Sequence, residues 1–499
     1  MTASPLRSRT GDVPAGLVLA LACLAQFMVV LDVSIVNVAL PSIRHDLHYS
    51  AAGLQWVVNA YVLTFAGFLL LGGRAADLFG RRRIFLLGLG LFTGASLVGG
   101  LAQSDAVLTA ARAAQGLGGA VLSPATLTII MTTFTEGRDR NRALGMWSSV
   151  AGAGGATGAL LGGLLTNYLS WRWVLFVNVP IGVVAAVAAM LYLSESRREG
   201  AERSLDLAGS ITVTGGLAVL VYAIVNTTTN PWTSTRTISL LGVAVVLLVL
   251  FVYLQTRVRA PLMPLRLFRL RALSTANVVM LLTGVVFFSM WYFLSLYLQN
   301  VHGYSPLRAG LAFIPMAVGI IVGAQLSSRL VNRLGVRPPL VAGVVMAAGG
   351  FLWLSQLQAQ TGYWEGVFGA GVVLTLGVGL SFPALATAAT SGVHYTEAGL
   401  ASGLLNTSRQ VGGSIGLAVL ATVATDRTRD VLTTTGRTAR AAVPHALTSG
   451  FDRAYLIAAV VALVAAAAAA TLPGVRRRAE APETARDPFA AAPAPSLAE

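Results

Sequence analysis

Asp32 and Arg112 each lie inside an apolar run long enough to cross a membrane. Asp32 sits within "FMVVLDVSIVNVALP", residues 27 to 41, and Arg112 follows Asp105 by seven positions. A charge at the centre of a bilayer costs at least ~2.5 kcal/mol on insertion scales, so an ionisable residue there points to function. Of the 20 acidic residues, Asp32 is the one expected deep inside a span; Asp105, Asp206 and Glu365 fall at helix ends. At ~1.5 Å per helical residue, Asp32 counted back from Leu40 and Arg112 counted on from Asp105 both lie about 10 to 12 Å below the same surface. The chemistry open to such a pair is reversible protonation. A cationic neighbour favours an ionised carboxylate and apolar surroundings favour a neutral one. A protein that exposes the pair first to one side and then to the other could bind a proton and release it. The plainer alternative is a static ion pair that fixes packing.

Other patterns are weighed in the same way. Gly154, Gly158 and Gly162 share one helix face, with Gly163 beside them, and so admit close approach of another backbone. They read either as a sliding seam between halves of the molecule or as ordinary tight packing. Trp56, Tyr61, Trp147, Trp291 and Tyr292, with the polar Gln26, Asn37, Asn406, Arg409 and Gln410, are candidates for lining a substrate cavity. Against that, aromatic residues in spans also serve as packing and interface anchors, and Asn406 and Gln410 could satisfy Arg409 structurally. "RHDLH", residues 44 to 48, has two histidines around an acid, but it stands alone in an expected loop and gives no metal site. No cofactor is expected. All 35 basic residues are arginine, which removes phosphate-loop and pyridoxal chemistry, since both need a lysine. The single cysteine, Cys23, allows no internal disulfide.

These residues are carried by a polytopic membrane protein. The chain is 55% hydrophobic and 11% charged, too apolar for a soluble protein of 499 residues. Its net charge of +15 comes from arginines clustered in short loops, where they set topology, so nucleic acid is not an expected partner. Windows of about 20 apolar residues predict fourteen spans, at 14–40, 52–73, 84–103, 106–131, 143–166, 172–193, 207–226, 237–256, 273–299, 307–331, 339–358, 364–390, 399–424 and 453–472. The arginine bias places both termini in the cytoplasm. Residues 257–271, "RVRAPLMPLRLFRLR", alternate arginine with bulky apolar residues, as a stretch on the cytoplasmic interface would. The Ala- and Pro-rich end of the chain reads as disordered.

An internal repeat divides the spans. "RAADLFGRRR" from Arg74 and "RLVNRLGVRP" from Arg329 share one pattern at an offset of 255 residues; Gly154, Gly155 and Gly158 match Gly412, Gly413 and Gly416 at 258. The expected organisation is a tail (1–13), a six-helix bundle (14–193), a linker with two extra helices (194–271), a second six-helix bundle (272–472) and a tail (473–499). Parallel six-helix repeats with a midplane site between them are a transporter architecture.

Several motifs together resemble the 14-span drug:proton antiporter branch of the major facilitator superfamily: "LDVSIVNVALP", "GGRAADLFGRRR", "RAAQGLGGA", "SWRWVLFVNVPIG", "YLQNVHGYSPLRAGLAFIP" and "ASGLLNTSRQVGGSIG". The resemblance covers almost the whole chain. It implies an all-α membrane protein that exports small amphipathic drugs or antibiotics in exchange for protons, multi-pass in the bacterial cytoplasmic membrane, needing no protein partner and performing no enzymatic reaction. It also implies a cytoplasmic gate of Gly73, Asp77, Gly80, Arg81 and Arg82, in which Asp77 and Arg81 bridge to neighbouring helices. Two departures matter. The family's fifth-helix motif has proline where this chain has Ala159, which keeps a proton-coupled importer of the same fold as an alternative. Relatives that export dications carry acids in spans ten or thirteen, and this chain has none there. From another class, a polytopic membrane enzyme would need a paired-acid or His–acid arrangement near the interface, and none is visible.

Overall fold

The computed structural model describes residues 15–134, 138–193, 195, 205–259, 261–393, 397–434 and 442–473. The predicted N-terminal tail, and the C-terminal one beyond residue 473, lie outside the described residues, as does the side chain of Asp77. Every regular element among the described residues is helical. The first group is α1 (Ala15–Leu47), α2 (Trp56–Phe79), α3 (Arg81–Gly100), α4 (Asp105–Thr133), α5 (Arg138–Tyr168) and the short α6 (Trp173–Phe176) leading into α7 (Asn178–Tyr192). Two helices follow, α8 (Leu207–Asn226) and α9 (Thr235–Arg257). The last group is α10 (Arg271–Leu296), α11 (Pro306–Ala312) leading into α12 (Ile314–Leu334), α13 (Arg337–Leu354), α14 (Phe368–Thr390), α15 (Ala398–Thr434) and α16 (Val443–Ala470). Helices are what lipid permits, because each backbone donor must find its acceptor within the segment. Their starts are capped where the chain enters: Ser104, Asp206, Ser234 and Ser305 each accept from a backbone N–H three residues on.

Twelve helices among the described residues are long and apolar enough to cross a membrane, against fourteen predicted spans. The two missing from that count are α5 and α15, which are long enough but carry runs of Gly, Ser, Thr and Arg. Several helices also outrun their apolar windows. α1 continues through Pro41 to Leu47, so "RHDLH" is mostly its last turn, tied down by Asp46, which accepts from Trp171 and Arg172 at 2.9 and 2.6 Å. α15 runs to Thr434 and α16 starts at Val443, so most of the stretch between the predicted spans 399–424 and 453–472 is helix. The threonines make this possible by donating back to carbonyls four residues earlier, as Thr425, Thr428 and Thr433 do. Asp452 therefore lies inside α16 rather than in a loop.

The two groups pack alike. α1 lies on α5, α2 and α3 on α4, and α3 on α7; in the same way α10 lies on α15, α12 and α13 on α14, and α13 on α16. The repeat glycines do the same work in both. A Cβ at Gly158 would meet Ser34 Oγ at 1.7 Å and one at Gly162 would meet Ile35 O at 2.5 Å, both on α1. One at Gly412 would meet Leu281 O at 1.8 Å on α10. Gly80 and Gly335, which end α2 and α12, share positive φ values of 106° and 82°, a conformation that excludes most side chains at that turn.

The groups also touch each other, at the end away from the Gly80 turn. Ser295 donates to the Asn37 carbonyl at 2.7 Å and Gln299 to the Val38 carbonyl at 2.9 Å. Pro41 explains the first contact: lacking an N–H, it leaves the carbonyl four residues back without its helical donor. α5 meets α11 backbone to backbone, with Gly163 against the Pro306 carbonyl and Gly310 against that of Ala159. α8 packs on α2 and α15 as well as on α9, whose Val245, Val246, Val249 and Tyr253 are exposed.

Candidate functional site

Asp32 and Arg112 meet. Arg112 Nη1 donates to Asp32 Oδ2 at 2.5 Å, and the two residues are 0% and 2% exposed. Three more residues complete the cluster. Gln115, one turn beyond Arg112 on α4, donates to Asp32 Oδ1 at 2.7 Å and accepts from Arg112 at 2.6 Å. Asn178, at the start of α7, donates to the same Oδ1 at 3.1 Å. Ser96 of α3 accepts from Gln115 and Asn178 at 2.9 and 3.0 Å and donates to the Leu175 carbonyl at 3.0 Å. Arg112 Nε donates to the Val57 carbonyl at 3.0 Å, and the guanidinium carbon stands 4.5 Å from the centre of the Tyr61 ring. The acid is thus held by one cation and two amides drawn from two other helices, all in the first half of the chain.

The arrangement compensates a buried charge by pairing and hydrogen bonding, as a low-dielectric site requires. It also seals the carboxylate: in this conformation neither face of the membrane reaches it. Any proton exchange at Asp32 must begin with movement of Arg112, Gln115 or Asn178.

Sequence reasoning paired Asp32 with Arg112 and missed the rest. Gln115 was within reach, since a polar residue three positions after a buried arginine shares its helix face. Ser96 carried no signal. Asn178 stands inside a quoted motif, yet only the break between α6 and α7 turns it toward α1.

The other candidates scatter. Gln26 accepts from Ser123 at 2.9 Å, and Trp147 donates to Thr126 at 3.0 Å; both tie neighbours to α4. Asn37 turns its amide back onto the Val33 carbonyl. Trp56 faces Tyr222 of α8 at 6.4 Å, and Tyr61 belongs to the Asp32 cluster. Tyr292 is buried against Phe293. Only Asn406, Arg409 and Trp291 come near one another: Arg409 Nη2 donates to Asn406 Oδ1 at 2.8 Å, its guanidinium carbon is 6.0 Å from the Phe287 ring centre, and Phe287 is 6.4 Å from Trp291. Gln410 is buried on the same helix.

Of the four seam glycines, Gly154, Gly158 and Gly162 face α1 within their own half, and only Gly163 faces the other half. The shared face is used up by packing on α1, which corrects the expectation of a seam between halves built from all of them. At the arginine-rich turn, Arg82 donates to the Met190 carbonyl at 2.6 Å, Arg83 lies 3.6 Å from Glu195, and Gly73 rests against Pro124. The bridge expected from Asp77 to a neighbouring helix lies outside the described residues. Among the described residues no group of His, Cys, Asp and Glu could hold a metal ion.

Residues 22–417 match the family model described as Major Facilitator Superfamily. The chain belongs to that superfamily. The transporter is 43% identical to the cephamycin export protein CmcT of Amycolatopsis lactamdurans, over 94% of each chain. It is 41% identical to the puromycin resistance protein pur8 of Streptomyces alboniger, over 90% of this chain and 89% of that one. Among solved structures it is similar in fold to a bacterial homologue of the human lysosomal transporter Spinster, in an inward-facing and unoccupied conformation. The TM-score is 0.65 at 17% identity, covering 92% of this chain and 97% of the other. The transporter is therefore a multi-pass membrane protein and not an enzyme, with relatives named for antibiotic export and resistance.

Proposed function

We propose that this transporter exports amphipathic drugs or antibiotics across the bacterial cytoplasmic membrane in exchange for protons, with Asp32 as the proton carrier and Arg112 setting its affinity. Export rests on the relatives named above, which match along nearly the full chain. The exchange reading rests on one observation, a carboxylate fully buried in the membrane domain against an arginine on another helix. Such a pair is expensive to keep for packing alone. It becomes useful if rocking of the halves separates its members, so that the carboxylate takes a proton from outside and gives it up inside.

In this reading α5 and α15 also cross the membrane, giving fourteen spans, and the repeated packing supports bundles at 14–193 and 272–472 with α8 and α9 outside the path between them. Both termini lie in the cytoplasm. The contacts of Ser295 and Gln299 then lie at the outer end, so the conformation is closed to the outside. Gly73, Asp77, Gly80, Arg81 and Arg82 form the cytoplasmic gate.

A second acid supports a variant of this reading. Asp452 lies within α16 with its Oδ1 buried and without a hydrogen-bond partner, so no donor holds that oxygen, whereas both oxygens of Asp32 are held. The test is drug uptake into inverted vesicles under an imposed pH gradient without ATP. Uptake should collapse with a protonophore and with Asp32→Asn. Loss in Asp452→Asn with full activity in Asp32→Asn would move the carrier to α16, and uptake indifferent to the gradient would reject exchange altogether.

A further inference from the structure

The transporter holds two arginines deep in its helices, and they are treated differently. Arg112 makes three hydrogen bonds, one of them to a carboxylate. Arg409 makes one, to the amide oxygen of Asn406 on its own helix. Its Nε is buried without a partner, and among the described residues no carboxylate lies within ion-pair distance. The neighbouring acids along α15 are Glu397 and Asp426, twelve and seventeen residues away, or about 18 and 25 Å at 1.5 Å per residue. Asp32 cannot serve, because its oxygens are already taken by Arg112, Gln115 and Asn178.

Depth sharpens the contrast. Arg409 is eleven residues into α15, and its carbonyl lies against Gly284, thirteen residues into α10. Both counts put it roughly 16 to 20 Å from the shared end of those helices, close to the middle of a ~30 Å hydrocarbon core. An uncompensated cation at that depth is costly unless something else supplies the negative charge. Arg409 as a residue is only partly buried, while its Nε is shut off from solvent, so the unpaired donor is aimed into the interior among the helices. Around the guanidinium stand flat apolar walls: its central carbon is 5.6 Å from the Phe382 ring centre and 6.0 Å from that of Phe287. Phe287 and Phe382 are 5.7 Å apart, and Phe287 continues to Trp291, whose Nε1 is also a buried donor without a partner.

We propose that Arg409, with Phe287, Phe382 and Trp291, recognises the acidic group and adjoining ring of an amphipathic anion, so that the exported substrates carry a carboxylate or comparable acid beside a flat apolar body. The guanidinium fork matches a carboxylate in two hydrogen bonds, and the aromatic walls take the ring offset-stacked or edge-on. A cationic drug would meet an unscreened like charge at the same place. The proposal rests on the exporter reading and narrows its substrate class.

The test uses three matched probes: anthracene-9-carboxylate, its methyl ester and 9-(aminomethyl)anthracene. Binding is measured by equilibrium dialysis on the full-length protein in lipid nanodiscs, and uptake in inverted vesicles under a pH gradient. Binding of the anion should be at least tenfold tighter than that of the ester or the amine. Arg409→Gln should remove that preference while leaving ester binding within twofold, and Arg409→Lys should keep part of it because the charge stays but the fork is lost. Phe287→Leu should weaken anion and ester alike, a readout available if changes at Arg409 fail to fold. Equal binding of anion and ester by the wild type, no saturable anion binding, or an unchanged preference in Arg409→Gln would each overturn the proposal. Anion binding that depends on Arg409 without gradient-driven uptake would leave this site standing and reject the exporter reading instead.

Discussion

The buried pair in the first half admits a decisive perturbation, because its two readings diverge when both charges are removed together. Asp32→Asn leaves the Arg112 guanidinium without a counter-charge at 2% exposure, and Arg112→Met leaves the carboxylate with only neutral donors. Breaking one side of a buried pair costs about 3 to 5 kcal/mol, so each single variant should unfold at clearly lower denaturing detergent. The double variant Asp32→Asn/Arg112→Met buries no charge, keeps most of the volume and leaves Gln115 and Asn178 an acceptor in the new amide. It should recover about 3 kcal/mol relative to the sum of the singles, near the upper end of coupling energies for residues in contact. Stability is measured by titration into dodecyl sulfate, and transport by drug uptake into inverted vesicles with and without a pH gradient. If the pair only fixes packing, the double variant regains transport along with stability. If Asp32 carries the proton, stability returns and gradient-driven uptake does not. A double variant that exports at the wild-type rate with the same response to the gradient refutes the carrier role.

Other predictions follow from the same contacts. Arg112→Gln, if it folds, should move the pH optimum of transport upward, since losing the cation favours the protonated carboxylate and delays its release to higher pH; an unmoved optimum in vesicle assays at stepped pH would show that Arg112 does not act on the acid. Gly162→Ala places a Cβ 2.5 Å from the Ile35 carbonyl and should cost about 1 to 3 kcal/mol in detergent unfolding, whereas Gly155→Ala, with nothing within 4 Å, should be silent. Asp77→Asn should cut transport with little loss of membrane insertion; full activity would remove it from the gate. Ser295→Ala with Gln299→Ala should raise labelling of a reporter cysteine placed on the outer side of α1, in a background freed of Cys23, because two ties between the halves are gone.

The helical fold was legible because membrane helices announce themselves by apolar length, and the repeated turn because Gly80 and Gly335 both adopt a backbone that glycine alone takes easily. Helix ends were less legible. Thr428 and Thr433 lower the apolar signal yet satisfy themselves on their own helix, so α15 passes through a stretch that composition assigns to a loop. The same polar content leaves α5 and α15 outside the twelve helices apolar enough to cross a membrane, although apolar windows predicted spans there. In the site, the acid and the arginine stood out by being charged where charge is expensive. Ser96 and Asn178 are neutral and cheap to place, and what brings them to Asp32 is the crossing of α1, α3 and α7, which no local pattern encodes. The cavity candidates scatter for a related reason: Trp56, Trp147 and Gln26 each pack on a neighbouring helix, and aromatic or amide identity does not say which way a side chain will turn.

Pro41 gives the contact between the halves an evolutionary character of its own. Because it withholds an N–H from the Asn37 carbonyl, the acceptor that Ser295 grips belongs to the main chain. The neighbouring grip of Gln299 on Val38 and the approach of Gly163 to the Pro306 carbonyl are main-chain contacts too. Side-chain drift at Asn37, Val38 or Pro306 therefore leaves those acceptors in place. Selection for new substrates can rework side chains near this latch without loosening it, whereas Pro41→Ala, which returns a helical donor to that carbonyl, would alter the contact between the halves directly.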